Sequence, residues 1–513
     1  MGSNKRVLIN VFCSIMVLMT NILITFFLSP FIVKNIGVEA NGFVTLANNF
    51  VMYANLIVTA LNSMAARFIA IEYVRKDYKK ANLYYNSVFW GNIIIVAVLL
   101  LPAAILIANL DKFDVPTELL FDVKLLFVFV FFNFFITTGL PNWGCGTFIS
   151  NRLDRDYVPN MAASVFKCAF LYLIFTICAP KVYFVGVAAT IVTLITLVAS
   201  AYNTHVLTPE LRVSLKPGKI ICSKVAIKEL VGSGIWSTIS NIGNMLLSGL
   251  DLILCNMFIG ATAMGVLSVA KTIPNYVQNL SASVRGAFSA ELTITYAKGD
   301  IESLYKTIDR AMKLTSVIIT IPISVVVVLG DHFFALWQPT LDANLLQILS
   351  ILSILGYMFT SGTQILYSVF NIVNKVKQNA IAMIISGVIS CGITFICVKY
   401  TNLGMFAVAG VSTCVNLVRN MTFTLPFTAK CLGYKWNVFY RQVGMTVLCS
   451  IVLVVSGFFI KRFLPSGTWL ALIISCGVLC IIGIAFNCFI ILNKNEREII
   501  FNKIIQKIPF LNK

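Results

Sequence analysis

Apolar stretches of about 20 residues recur along this chain from residue 7 to residue 492, and no other feature limits the possible folds so strongly. A hydrocarbon core about 30 Å thick is crossed by roughly 20 helical residues, and within it the backbone must satisfy its own hydrogen bonds. The chain therefore reads as an all-α polytopic membrane protein. Its composition agrees: 58% of residues are AVILMFWYC, 12% are charged, and mean hydropathy is +0.89. Soluble domains run about 45–50% apolar and about 25% charged, so soluble, disordered and nucleic-acid-binding classes are excluded. Polar, Gly/Pro and charged breaks divide the chain into fourteen expected spans. They start near residues 7, 41, 84, 121, 157, 182, 231, 261, 314, 345, 379, 402, 441 and 466.

The net charge of +19 has to be read against the bilayer rather than as a nucleic-acid signal. With the N-terminus cytoplasmic, the cytoplasmic segments hold 28 Lys/Arg, the opposite side holds 6, and five lie within spans. That asymmetry predicts both termini in the cytoplasm and an even number of spans. Trp90, Trp143, Trp236, Trp337 and Trp469 fall near span ends and Trp436 in a loop, as an interfacial belt requires. The stretches RFIAIEYVRKDYKKANLYY, YAKGDIESLYKTIDRAMKL and EREIIFNKIIQKIPFLNK read as short amphipathic helices lying on the anionic inner leaflet. The basic, apolar N-terminus lacks a small-x-small cleavage site and is expected to be kept as the first span.

Sliding the chain on itself by 223 residues aligns 5–77 with 228–300 without a gap, with thirteen identities in 73 positions. The shared pattern I-G-x-x-A-x-G falls at the same outer turn in both copies: Ile36, Gly37, Ala40 and Gly42 against Ile259, Gly260, Ala263 and Gly265. Six spans separate the copies, so they share one orientation. This is a parallel repeat about an axis along the membrane normal. The expected architecture is two six-helix bundles plus a terminal helix pair. The divisions are 1–204, a basic linker 205–230, 231–430, and a final pair with a basic tail at 431–513. Gly260 and Gly265 do not open a phosphate loop, because Val266 and Leu267 follow where Lys and Ser/Thr are needed. The 14 cysteines form no C-x-x-C pair and the only histidines are His205 and His332. No metal site, disulfide framework or cofactor is indicated. Pro141, Pro274 and Pro322 mark bends in spans.

Ionisable residues inside spans are costly and tend to face a cavity. Lys167, Lys271, Arg285 and Arg419 lie within spans, Lys124 near an outer end, and Arg67 at the inner end of the second span. Arg67 and Lys124 are within snorkelling reach of the headgroups, whereas Lys167, Arg285 and Arg419 are too deep. Asp251 is the clearest intramembrane acid and Glu291 sits near the inner end of the eighth span. Asp251 either pairs with Lys271 or another cation, or couples transport to a proton or sodium gradient. Arg285, Arg419, Lys167, Lys271 and Arg67 together make a cationic cavity suited to an anionic cargo. Guanidinium in particular suits phosphate, which it grips through paired donors.

With its fourteen spans, its basic N-terminus and the stretch SGLDLILCNMFIGATAMGVLSVAKTIPNY, the chain resembles one branch of the multidrug/oligosaccharidyl-lipid/polysaccharide exporter superfamily. That branch is the polysaccharide-biosynthesis one, the Wzx-type O-antigen or capsule flippases. In that family the stretch reads as an Asp, an apolar run, a Gly-containing turn and a Gly-[VL]-[YL]-[ST]-x-A segment. The resemblance implies a V-shaped pair of bundles. It also implies export of undecaprenyl-diphosphate-linked oligosaccharide across the cytoplasmic membrane, from inner to outer leaflet. By position, Asp251, Arg285 and Arg419 correspond to the family's cavity charges, with Arg67 a further candidate. The implied partners are the bilayer, an anionic lipid-linked oligosaccharide, H+ or Na+, and a polysaccharide polymerase or export machinery. A multidrug or other lipid-precursor exporter shares the fold, but the basic cavity disfavours cationic drugs. A membrane polymerase needs a sizeable catalytic loop, whereas the longest loop, about 204–230, is cytoplasmic and basic. The expected protein is a transporter, not an enzyme.

Overall fold

The computed structural model describes residues 3–63, 65–150, 152–214, 223–297, 299–373, 375–463, 467–491 and 497. The described residues are helical and contain no strand. Among the described residues, eleven helices are long and apolar enough to cross a bilayer: those ending at Val74, Ala108, Gly139, Ile177, Leu207, Phe258, Trp337, Thr360, Tyr400, Lys461 and Ile490. The other three expected spans are helical as well. Ser3–Asn35 is one unbroken helix whose shorter apolar part is Met19–Asn35. The eighth is split into Ala261–Ala270 and Thr272–Ala297, and the twelfth into Met405–Arg419, a π-helical turn Asn420–Thr424, and Leu425–Cys431. The eighth and twelfth carry Arg285 and Arg419, and their polarity and breaks set them apart from ordinary lipid-facing helices.

The chain packs as two compact units, one of residues 1–245 and 252–268, the other of 246–251 and 269–513. In the first, Ser3–Asn35 packs on Asp154–Ile177, and Tyr183–Leu207 packs on both Asp154–Ile177 and Leu120–Gly139. The helix Lys224–Asn244 packs on Val38–Asn62 and Tyr78–Ala108, closing a core around Leu61, Ile69, Tyr84, Val88 and Leu230. In the second, the 37-residue helix Ile301–Trp337 is the spine. Thr272–Ala297, Ala343–Thr360, Tyr440–Lys461 and Trp469–Ile490 all pack on it, with Ile308, Met312, Ile319 and Ile323 buried. The partition 1–204, 231–430 and 431–513 follows sequence kinship, whereas these units follow packing. The linker 205–230 is described at 205–214 and 223–230.

Two of the expected interfacial helices take a different form, and the third, at the C-terminus, lies outside the described residues apart from Arg497. The first is divided between Ala65–Val74 and the start of Tyr78–Ala108, and the segment from residue 301 runs straight into the ninth span. At 1.5 Å per residue a helix of that length reaches roughly 55 Å, well past the hydrocarbon core. Nothing between 301 and 337 except Pro322 interrupts it, so the amphipathic turn and the span fuse.

The repeat is visible in local geometry. Gly37 and Gly260 are repeat equivalents, and both take positive φ, 118° and 130°, immediately before the following helix. Asp77 and Asp300 are equivalent and cap helices identically, accepting from the backbone N–H of Lys80 and of Ser303, themselves 223 residues apart. Lys76 and Gly299, preceding these caps, share positive φ. Equivalent residues also touch within the first unit: Thr262 donates to Glu39 at 2.8 Å, and Gly42 lies against Gly265. A Cβ on Gly265 would sit 2.4 Å from the carbonyl oxygen of Val38 and 2.7 Å from its carbon. Backbone atoms cannot yield as a side-chain tip can. Gly265→Ala is therefore expected to destabilise the protein by about 1–3 kcal/mol. Gly392→Ala, whose Cβ would meet open space in the middle of Val376–Tyr400, should be neutral or stabilising by about 0.5–1 kcal/mol. Thermal unfolding of the two purified variants in detergent checks the contrast.

Candidate functional site

Within the second unit, the helices Thr272–Ala297, Leu366–Ile372 and Met405–Arg419 bring Arg285 and Arg419 to one tyrosine. The Arg419 guanidinium carbon lies 5.2 Å from the centre of the Tyr367 ring and that of Arg285 5.9 Å away. Each contact is a cation–π interaction worth roughly 0.5–2 kcal/mol depending on desolvation. Arg419 is 5% exposed. Its Nη2 donates to the Tyr367 hydroxyl at 2.5 Å and to Asn416 Oδ1 at 2.7 Å, while Nη1 meets the Met383 sulfur. Tyr367 in turn donates to Asn420 Oδ1 at 2.6 Å, which also accepts from Thr424 at 3.0 Å. The π-helical turn Asn420–Thr424 widens the helix just after Arg419, a distortion that recurs at functional sites.

The chemistry missing from this cluster is a negative charge. No carboxylate pairs with Arg285 or Arg419 among the described residues. Among the described residues every partner of Arg419 is neutral, one is a thioether, a weak acceptor, and its buried Nε–H meets no acceptor. A buried ion normally has a counter-charge, because desolvation costs several kcal/mol per ion. Two guanidiniums at one ring, without a counter-charge among the described residues, are chemically suited to an anion, and a phosphate group offers oxygens spaced for the guanidinium fork.

The other expected site residues lie elsewhere. Lys271 pairs with Asp251, which is 4% exposed, so its charge is already engaged and it does not join the arginines. The pair follows a second π-helical turn, Met245–Gly249. Glu291 is exposed and accepts from Arg310 at 2.6 Å. Lys167 is half-buried in Asp154–Ile177, in the first unit, with no ion-pair partner among the described residues. Arg67 is exposed on Ala65–Val74. No group of His, Cys, Asp and Glu that could hold a metal occurs among the described residues. Charge alone pointed to the arginines. Tyr367, Asn416 and Asn420 were not singled out, although N-x-x-R-N in a membrane helix is a dense polar run.

This is the fold of the MOP-superfamily transporters. A solved structure of the lipid II flippase MurJ, in an inward closed conformation, matches with a TM-score of 0.63 at 12% identity, covering 96% of this chain and 100% of that one. An inward-facing multidrug resistance MATE family transporter of the MOP superfamily matches with a TM-score of 0.61 at 17% identity, covering 80% and 94%. At these identities the likeness is one of fold. Residues 7–289 match the family described as "Polysaccharide biosynthesis protein", and the chain belongs to that family. The uncharacterized membrane protein EpsK of Bacillus subtilis (strain 168) is 26% identical over 497 residues, 96% of this chain and 97% of that protein.

Proposed function

We propose that this multi-pass membrane protein is a lipid-linked oligosaccharide flippase. It moves undecaprenyl-diphosphate-linked repeat units from the inner to the outer leaflet of the cytoplasmic membrane by alternating access, for cell-surface polysaccharide assembly. The observation that carries this reading is the pair of guanidiniums, Arg285 and Arg419, held at Tyr367 with no counter-charge among the described residues. Family membership supplies the polysaccharide context.

On this reading the diphosphate replaces the missing anion, using the free donors of Arg419 and the fork of Arg285. The polyprenyl chain stays in lipid, where each CH2 is already solvated by hydrocarbon. In the first unit, Arg67 is exposed and Lys167 has no ion-pair partner among the described residues, so both are further cations that an anionic cargo can meet. Asp251 is the acid through which a proton or sodium ion would act, since neutralising it releases Lys271. The protein hands its cargo to the polymerase or export machinery and makes or breaks no covalent bond. Both termini face the cytoplasm, as the 28-to-6 distribution of Lys/Arg supports.

Deleting the gene and separating lipid-linked oligosaccharides by leaflet tests the proposal. Accumulation on the cytoplasmic face, with loss of surface polysaccharide and recovery on reintroducing the gene, is the expected result. Unchanged surface polysaccharide with no trapped intermediate would favour an exporter of another cargo.

A further inference from the structure

The first unit holds an open cavity of about 640 Å³, within the range of small-molecule sites, roughly 300–1,000 Å³. No Asp, Glu, Lys or Arg lines it. Its polar character comes from amides together with the hydroxyls of Thr137, Thr138, Thr193 and Ser200, and three of the amides, Asn48, Asn55 and Asn62, stand seven residues apart on the helix Val38–Asn62. A seven-residue step drifts by only about 20°, so the three form one stripe. Asn133 and Asn142 face the same space, with Trp143 beside them.

These amides are only partly used by the fold. Asn62 is engaged with a neighbouring amide through bonds of 2.8 and 3.2 Å, and Asn48 Nδ2 donates to the Val44 carbonyl at 2.9 Å. The side chains of Asn55, Asn133 and Asn142 make no hydrogen bond among the described residues. Asn133 Oδ1 is fully buried without a donor, so what this residue offers to the cavity is its amide nitrogen. Each amide carries two donors and an acceptor oxygen, the same mixed character as a set of sugar hydroxyls, whereas an anion or cation would find no counter-charge. Trp143 supplies an apolar face with a polar edge, matching the alternating C–H and O–H surface of a pyranose.

The internal repeat sharpens the point. At the offset of 223, Asn48, Asn55 and Asn62 align with Lys271, Gln278 and Arg285. The same stripe of the same repeated helix is neutral in the first copy and cationic in the second.

We infer that the amide-lined cavity of the first unit is a subsite for the uncharged saccharide of the cargo, with Asn55 and Asn133 its principal hydrogen-bonding groups. The inference rests on the flippase reading above and assigns to that cargo a second point of recognition, separate from the arginines.

The test is equilibrium binding to the full-length protein in nanodiscs, using farnesyl diphosphate and farnesyl diphosphate bearing an uncharged trisaccharide. The wild type should bind the glycosylated probe at least tenfold more tightly. The Asn55→Leu/Asn133→Leu variant should lose that preference, with its affinity for bare farnesyl diphosphate within twofold of wild type. Asn55→Leu alone, at an exposed cavity-wall position, should lose most of the preference at unchanged thermal stability, and it serves if the double variant does not fold. Equal wild-type affinity for the two probes, or amide variants that weaken both probes alike or neither, would overturn the subsite while leaving the arginine site standing. Failure of the wild type to bind either probe would overturn the flippase reading and the subsite with it.

Discussion

Arg419→Gln is expected to abolish export while leaving the protein as stable as the wild type, or more so. The two halves of that expectation have one cause. Arg419 is a buried cation whose described partners are Tyr367, Asn416 and Met383, all neutral, and the fold gains little from its charge. Glutamine keeps a donor for Asn416 or Tyr367 and removes the desolvated charge, a change that is often neutral or stabilising. Function loses much more. A charge-assisted hydrogen bond is worth about 1.5–3 kcal/mol, so losing a paired grip on phosphate lowers affinity by roughly two to four powers of ten. Arg285→Gln should act in the same direction with a smaller effect, because Arg285 is only half-buried and solvent shares its charge. Arg419→Lys keeps the charge but not the fork, and should retain partial activity. Surface polysaccharide in a complemented deletion strain, measured beside the melting temperature of each purified variant, reads both halves. Full export by both glutamine variants would remove the cationic site, and a large loss of stability in Arg419→Gln would recast Arg419 as a structural residue.

Apolar run length was enough to place the eleven described helices that are long and apolar enough to cross a bilayer, because each must bury its backbone hydrogen bonds within itself and so declares itself locally. The repeat was equally legible, since glycines and caps at fixed offsets constrain the backbone whatever side chains surround them: Gly37 and Gly260, Asp77 and Asp300. Which charges meet is a tertiary matter, and sequence separated the possibilities only in part. Arg285 and Arg419, 134 positions apart, do converge, but Lys167 belongs to the other unit and Lys271 is held by an acid 20 residues away. Tyr367 escaped notice because an aromatic residue in a membrane segment looks like packing, and its role depends on two helices remote in sequence. The amide stripe escaped for a different reason. Asparagines carry no charge, so a search for intramembrane ions passes over them, although their spacing of seven was there to be counted. The long helix Ile301–Trp337 shows a further limit. Amphipathic and apolar segments look separate in composition, yet with Asp300 capping the start and no glycine before residue 330 the backbone joins them.

Asp251→Asn should be strongly destabilising, by about 3–5 kcal/mol, because it leaves Lys271 as an uncompensated charge in the protein interior. The two side chains are 6% and 16% exposed, so little water is available to take over from the lost partner. The double variant Asp251→Asn/Lys271→Met removes both charges together and should recover most of that loss, since a buried pair contributes little net stability over an apolar replacement of similar size. This pairwise comparison separates two roles that single substitutions confuse. A purely structural pair predicts a double variant that folds, resists unfolding like the wild type and still exports. A coupling pair predicts a double variant that folds equally well but no longer responds to the ion gradient, because the acid that a proton or sodium ion would neutralise is gone. Export by this variant, measured with the proton gradient collapsed and then with the sodium gradient collapsed, distinguishes the cases. Sensitivity to either gradient equal to that of the wild type would exclude Asp251 as the coupling site. A double variant no more stable than Asp251→Asn would show that Lys271 is not the group that Asp251 compensates.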